Sequence, residues 1–433
     1  MDHTTVGIIG VVIVFVFLAL GMPVGFSFMI TGFLGIFWLK GFTAAVAMSS
    51  VIPFSWATSI SLMCIPLFIL MGMFSFHSGI SRDLFSMGNK FLGRFPGGLN
   101  LANAFACAAF SATTGSSSAC AATMGTVSWP ELQARKYNPG FGAATIAASG
   151  SLGIMIPPST VFIFYGLVTY TSIGKLFIAG IIPGLIEVTL YVIAIVVLVK
   201  LMPQIAPLSP FFSLKEKFES LKTVWAIVSI VTIVLGGIYF GFFTPTEAAG
   251  IGSFATFVLM VLRRGATKQN IISSLLEAGR LTCMIFILII GVMFFVSFIS
   301  LTGVTKDFCN WVVTLPLPRY VTLSLILSIY LPLGCFMTSI PMIALTIPFV
   351  FPVVTSLGFD PIWLGVLLVR FGETSTITPP VGMNVFVLSG VTGIPSEKIF
   401  KWCIPYIIMD LICIMIIIAV PQTTLFLPST MMK

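Results

Sequence analysis

The chain has 433 residues, 58% of them hydrophobic and only 8% charged, where a soluble domain carries about 25% charged residues. This excludes a soluble enzyme. The apolar runs are long and continuous rather than short and alternating, which excludes an outer-membrane barrel. A polytopic bundle of membrane helices remains, with room for about a dozen segments of about 20 residues each. The formal charge of +8 does not indicate nucleic acid, because Lys and Arg gather in short loops, as the positive-inside bias requires.

In chain order, "MDHTTVGIIGVVIVFVFLALG" lacks a basic leading region and reads as a retained first span near 6–21. Segments near 22–39 and 51–72 follow. A loop carrying Arg82, Lys90 and Arg94 precedes the segment 98–129, and Arg135 and Lys136 follow it. Both ends then lie on the cytoplasmic side, so 98–129 reads as a re-entrant hairpin with its tip at Gly115 to Ser118. The segment 141–170 crosses outward and contains "SGSLGIMIPPST"; a span near 176–199 returns. The stretch 201–222 is polar and Pro-rich and reads as a cytoplasmic linker between an N-terminal repeat, 1–200, and a C-terminal repeat, 223–433. Spans near 223–241 and 246–262 form a pair, and 280–300 leads outward. A second hairpin, 320–357, and a second interrupted helix, 362–391, complete the pattern, ending inside at Lys398 and Lys401. The eight cysteines form no CxxC pair and read as packing residues.

The two halves share one register. Pro157-Pro158 and Pro379-Pro380 are 222 residues apart, and the same offset pairs Pro96 with Pro318, Pro130 with Pro352, Ser117 with Ser339, Gly150 with Gly372 and Pro183 with Pro405. Self-similarity at a fixed offset marks an internal repeat. The loop charges give the copies opposite orientations, so the expected fold is an all-α inverted repeat with two re-entrant hairpins and two broken transmembrane helices.

Proline lacks an N–H and clashes with the carbonyl four residues back. The proline pairs should therefore free the carbonyls of Gly153 and Ile154, and of Ser375 and Thr376. In hydrocarbon such groups need protein, water or a cation. The second half-helix of each pair is expected to begin at the prolines, with its positive dipole end suited to an anion. Paired interruptions in matching places are the strongest sequence pointer to a transporter's midplane site. Each hairpin tip with its following break forms a candidate cation site: Ser116, Ser117, Ser149, Gly150 and Gly153 in the first half, Thr338, Ser339, Gly372 and Thr376 in the second. Ser151 adds a hydroxyl to the first. Between them lies a candidate substrate cavity, with Ser118, Pro158, Arg370, Glu373, Thr378 and Pro380 as its residues.

Arg370 and Glu373 are intramembrane ionisable groups. They can pair with each other one helical turn apart, or Arg370 can meet the anionic group of a substrate. Glu187 and Asp410 read as scaffold or partner contacts, and His3 and His77 as interfacial. Glu247 completes a capping box with Thr244, ahead of Pro245 at the first helical position. No nucleophile with a base and no ligand cluster points to an enzyme.

The motifs "GMPVGFS", "PLFILMG", "GSSSA", "PELQARKYNPGF", "ASGSLGIMIPPS", "GFFTPTEAAG" and "ITPPVGMNVFV" together resemble the large membrane subunit of the tripartite ATP-independent periplasmic (TRAP) transporters, from Gly21 to near the C-terminus. The resemblance implies sodium-driven import of a small organic anion, a carboxylate or sulfonate, across the bacterial inner membrane by an elevator motion of a transport domain against a scaffold. It implies a periplasmic substrate-binding protein, a separate small four-helix membrane subunit, and sodium as coupling ion at the residues named above, with no further cofactor. Cys120 and Met337 depart from the family's commonest tip pattern, leaving the substrate open. The alternative is a stand-alone sodium- or proton-coupled organic-anion carrier without a binding protein.

Overall fold

The computed structural model describes residues 2–208 and 211–431, and within them the chain is helical throughout. It begins with α1 (His3–Ala19), α2 (Val24–Lys40) and α3 (Phe42–Ala57), then a short 3-10 turn and α4 (Cys64–His77). The expected 51–72 segment is therefore not one span. Thr58 ends α3 and Ser59 is extended, which separates it from α4. The basic stretch after α4 is no loop but α5 (Ile80–Leu92), whose Ile80, Leu84 and Phe85 are buried while Arg82 is exposed and Asp83 and Lys90 are half-buried.

Next come α6 (Gly98–Thr114), α7 (Ser117–Ala134), α8 (Pro139–Met155), α9 (Thr160–Thr169) and α10 (Ile173–Leu201). The expected linker is shorter than its composition suggested. Ser213 caps α11 (Leu214–Tyr239) through a reciprocal box with Glu216, so the lysines at 215, 217 and 222 lie on a helix. Then α12 (Pro245–Leu262) and the 35-residue α13 (Lys268–Thr302) follow. The second half continues as α14 (Val304–Thr314), α15 (Arg319–Ser328), α16 (Tyr330–Phe336), α17 (Ser339–Ser356), α18 (Pro361–Ser375), α19 (Met383–Thr392), α20 (Ser396–Ala419) and α21 (Gln422–Ser429). Nine stretches among the described residues are long and apolar enough to cross a membrane. Large apolar side chains such as Trp38, Phe54, Trp225 and Phe254 are exposed around the outside, as lipid contact demands.

Apolar packing forms two clusters. One joins α2, α4 and α13 to α9, α17 and α18, with α2 lying along α13 and α4 along α12. Gly25 and Gly291 permit the first contact: a Cβ on Gly291 would meet the Gly25 carbonyl oxygen at 2.1 Å. In the other, α6, α7, α8, α10, α19 and α20 surround a buried core containing Phe110, Phe141, Tyr191 and Tyr406. The α7 and α17 boundaries fall 222 residues apart at both ends, and α8 and α18 start at that same spacing.

Candidate functional site

Two sharp turns and two helix interruptions meet near the centre. The first turn follows from sequence: α6 ends at Gly115, whose φ of 58° only glycine adopts freely. Ser116 is then extended and caps α7 by accepting from the Ala119 N–H at 3.5 Å. The first interruption spans 156–159. Ile156 still donates to the Leu152 carbonyl at 3.2 Å, but no hydrogen bond reaches the Gly153 and Ile154 carbonyls among the described residues. Both proline pairs are in the cis form.

Tip and break touch. A Cβ on Gly153 would lie 2.9 Å from the Ser116 carbonyl oxygen, and one on Gly150 would lie 2.7 Å from the Ala121 Cβ. Thr160 Oγ1 donates to the Gly115 carbonyl at 2.8 Å. Ser149 is wholly buried and its hydroxyl has no partner. In this first half the structure thus brings Ser116, Ser117, Ser149, Gly150 and Gly153 into one neighbourhood. Ser151 departs from it. Its hydroxyl donates to the Ala148 carbonyl at 2.6 Å and lies 3.3 Å from Glu187 Oε1 and 3.2 Å from the Tyr191 hydroxyl, facing away from the tip.

The second half differs in two ways from the sequence expectation. Its carbonyls are occupied: Ser375 accepts from the Thr378 N–H at 3.2 Å, and Thr376 accepts from the Asn384 N–H at 3.0 Å. A turn at 376–378 repairs most of what the prolines removed. Nor do the second half-helices begin at the prolines. α9 starts after Ser159, whose side chain accepts from the Phe162 N–H, and α19 starts after Gly382 at φ 49°. Proline fixes its own φ, but a side-chain cap or a left-handed residue decided where each helix resumes. Here too tip meets break: a Cβ on Gly372 would lie 2.8 Å from Ser339 Oγ, and Ser339 Oγ donates to Glu373 Oε1 at 3.1 Å.

A cavity of about 500 Å³ lies between the tips. Ser116, Ser117, Ser118, Thr338, Ser339 and Thr376 line it, as does Asn384. Asn384 was not foreseen; its signal was a lone amide within "GMNVFV". The amide nitrogen donates to the Ala147 carbonyl at 3.3 Å, joining α19 to α8. His77, Ser273 and Glu277 from α4 and α13 also line the cavity, with His77 Nε2 3.3 Å from Ser273 Oγ. His77 is therefore a cavity residue.

Pro158, Arg370, Glu373, Thr378 and Pro380 are not among the lining residues. Thr378 Oγ1 turns back onto the Thr374 carbonyl at 2.7 Å. Arg370 is wholly buried and pairs neither with Glu373 nor with the cavity: Nη1 lies 2.5 Å from Glu187 Oε2 and Nη2 2.5 Å from Asp410 Oδ1. Glu187 and Asp410, expected to serve scaffold or partner contacts, instead hold this arginine from α10 and α20. An i,i+3 pairing puts two groups within reach, but long-range carboxylates with better geometry won. Glu247 forms the expected capping box with Thr244.

A family model described as "Tripartite ATP-independent periplasmic transporter, DctM component" matches residues 11–423. The C4-dicarboxylate TRAP transporter large permease protein DctM of Pseudomonas aeruginosa is 37% identical over 373 residues, covering 85% of this chain and 86% of that protein. The sialic acid TRAP transporter large permease protein SiaM of Vibrio cholerae is 32% identical over 415 residues, covering 94% and 95%. Among solved structures, the Alcanivorax borkumensis YdaH transporter aligns with a TM-score of 0.62 at 14% identity, over 87% of this chain and 88% of that one, a likeness of fold alone.

Proposed function

Because the chain belongs to the DctM component family of tripartite ATP-independent periplasmic transporters and is the large membrane subunit of such a system, we propose that it imports a small organic anion across the bacterial inner membrane, driven by sodium. One observation carries this reading: both hydroxyl-bearing tips, each pressed against its own helix interruption, border one central cavity. Sodium is held at oxygen-rich tip-and-break sites, first at Ser116, Ser117, Ser149, Gly150 and Gly153, second at Thr338, Ser339, Gly372 and Thr376. The free carbonyls of Gly153 and Ile154 and the partnerless Ser149 hydroxyl favour a cation in the first. The substrate occupies the cavity between them, with Ser118 at the first tip as a contact.

The halves are inverted copies. The exchange of partners supports this: α2 packs on α13 and α12 on α4, and 222 residues separate α7 from α17. Transport proceeds by movement of the two tips and the two helix interruptions, carried on α6–α9 and α16–α19, against α2, α4, α12 and α13. A small membrane subunit completes the scaffold and a periplasmic binding protein delivers the substrate.

The test is uptake in proteoliposomes, with the small subunit and with or without the binding protein, over a panel of C4-dicarboxylates, sugar acids and sulfonates. Uptake that requires both the binding protein and an inward sodium gradient is the expected result. Uptake that proceeds without the binding protein would establish the stand-alone carrier instead.

A further inference from the structure

We propose that the start of α11, together with the end of α5, is a docking surface for the headgroups of anionic phospholipids, separate from the transport cavity. With 26 residues, α11 runs about 39 Å at about 1.5 Å per residue, against a hydrocarbon core of about 30 Å. Part of it therefore stands outside the core. Composition says which part: Lys215, Glu216, Lys217, Glu219 and Lys222 crowd its first nine residues, 214–222, and charge at that density does not enter hydrocarbon.

This stretch is nevertheless not a plain solvated helix start. Leu214, Phe218, Leu221 and Trp225 are spaced for one face, and all four are exposed. The opposite face is the packed one: Ser220, Val224 and Ile227 are buried, the two apolar ones in the cluster that holds Leu84 and Phe85 of α5. Lysines flank the outward stripe on both sides, Lys217 on one and Lys215 and Lys222 on the other, each about a quarter turn away. Such a helix rests its apolar side chains among acyl chains and lifts its lysines to the level of the phosphates.

Aromatic rings hold two of the cations in place. The Arg94 guanidinium, just past the end of α5, lies 4.8 Å from the centre of the Phe211 ring, and Lys217 Nζ lies 5.9 Å from that of Phe91. Both rings are exposed. The charge left over is positive. Glu216 is committed to the α11 cap, accepting from the Ser213 N–H at 2.7 Å and its hydroxyl at 2.8 Å. Asp83 of α5 pairs with Arg263, and Glu219 stands about a third of a turn off the stripe. Among the described residues, Arg94, Lys215, Lys217 and Lys222 have no acidic partner. A phosphodiester carrying acyl chains meets both the charge and the apolar stripe; a soluble anion meets only the first. The positive-inside bias asks for lysines alone, and the flanked stripe and ring-held cations go beyond it.

The experiment uses the full chain purified with its small membrane subunit, in neutral detergent micelles containing equal amounts of phosphatidylglycerol and phosphatidylcholine. Retained lipid is counted by native mass spectrometry. The wild type is expected to prefer phosphatidylglycerol by about tenfold or more, and less as salt rises. The triple variant Lys215→Gln, Lys217→Gln, Lys222→Gln should fall to near parity. The double variant Lys398→Gln, Lys401→Gln, which removes exposed lysines of α20, should keep the wild-type preference. Phe218→Gln with Trp225→Gln should loosen both lipids. Equal retention of the two lipids by the wild type, or equal loss of preference in both lysine variants, overturns the proposal. So does loss of the small subunit from the triple variant with the lipid preference intact, which would give this face to that subunit. Should the triple variant not be recovered, the wild-type salt series decides: a preference that salt leaves unchanged overturns the site.

Discussion

Arg370 meets Asp410 with Nη2 2.5 Å from Oδ1, both side chains wholly buried, so the guanidinium closes against α20 and not toward the cavity. Glu187 completes the cluster from α10, and the Tyr191 hydroxyl donates to Asp410 at 2.7 Å. Arg370→Ala strands two buried carboxylates, and breaking such a cluster costs about 3–5 kcal/mol. A large fall in thermal stability is expected, before any question of substrate. The triple variant Arg370→Met, Glu187→Gln, Asp410→Asn should recover most of it, because it removes the charges together. Wild-type stability in Arg370→Ala would contradict the cluster's role.

Close approach of α8 to the first tip depends on Gly153. Alanine there would press a methyl against the Ser116 backbone, which cannot yield as a flexible side chain can. Gly153→Ala should displace the tip and abolish sodium-dependent uptake. Gly279, exposed on α13 with nothing near its Cβ position, is the control. Gly279→Ala should stabilise the helix by up to about 1 kcal/mol and leave the sodium dependence of uptake alone. Equal loss of uptake in both variants would remove the special status of Gly153.

Ser149 offers a buried hydroxyl without a partner, and Ser116 begins the helix opposite. The double variant Ser149→Ala, Ser116→Ala should raise the sodium concentration for half-maximal uptake by about tenfold, the equivalent of about 1.4 kcal/mol. An unchanged sodium curve would place the first coupling ion elsewhere.

Thr244 and Glu247 hold the start of α12. Glu247 Oε2 accepts from the Thr244 N–H and hydroxyl at 2.8 Å each, and the Glu247 N–H donates to Thr244 Oγ1 at 3.3 Å. Thr244→Ala should lower the unfolding temperature while leaving the substrate half-saturation unchanged. A shifted half-saturation with unchanged stability would give this acid a role in transport.

Local chemistry wrote much of this molecule into its sequence. Gly115, followed by serine, forces a left-handed turn and a helix cap, and that tip was legible without coordinates. The proline pairs ended α8 and α18 near the expected places, because proline removes a donor whatever surrounds it. The restart of each second half-helix was not legible in the same way, since Ser159 and Gly382 decided it. Composition also misplaced boundaries: a polar stretch from 214 hid the start of α11, where a capping box outweighed the charged surface, and an apolar stretch from 51 to 72 hid a turn.

By itself, then, the sequence determined the membrane class, the 222-residue register and the positions of tips and breaks, all of which rest on interactions within a few residues. Tertiary structure decided who meets whom. Arg370 found Glu187 and Asp410 in place of its near neighbour Glu373; the Thr376 carbonyl found the Asn384 N–H; Asn384 reached the Ala147 carbonyl across the molecule. Buried polar groups must be satisfied in hydrocarbon by whichever partner packing delivers, and that partner lay on another helix.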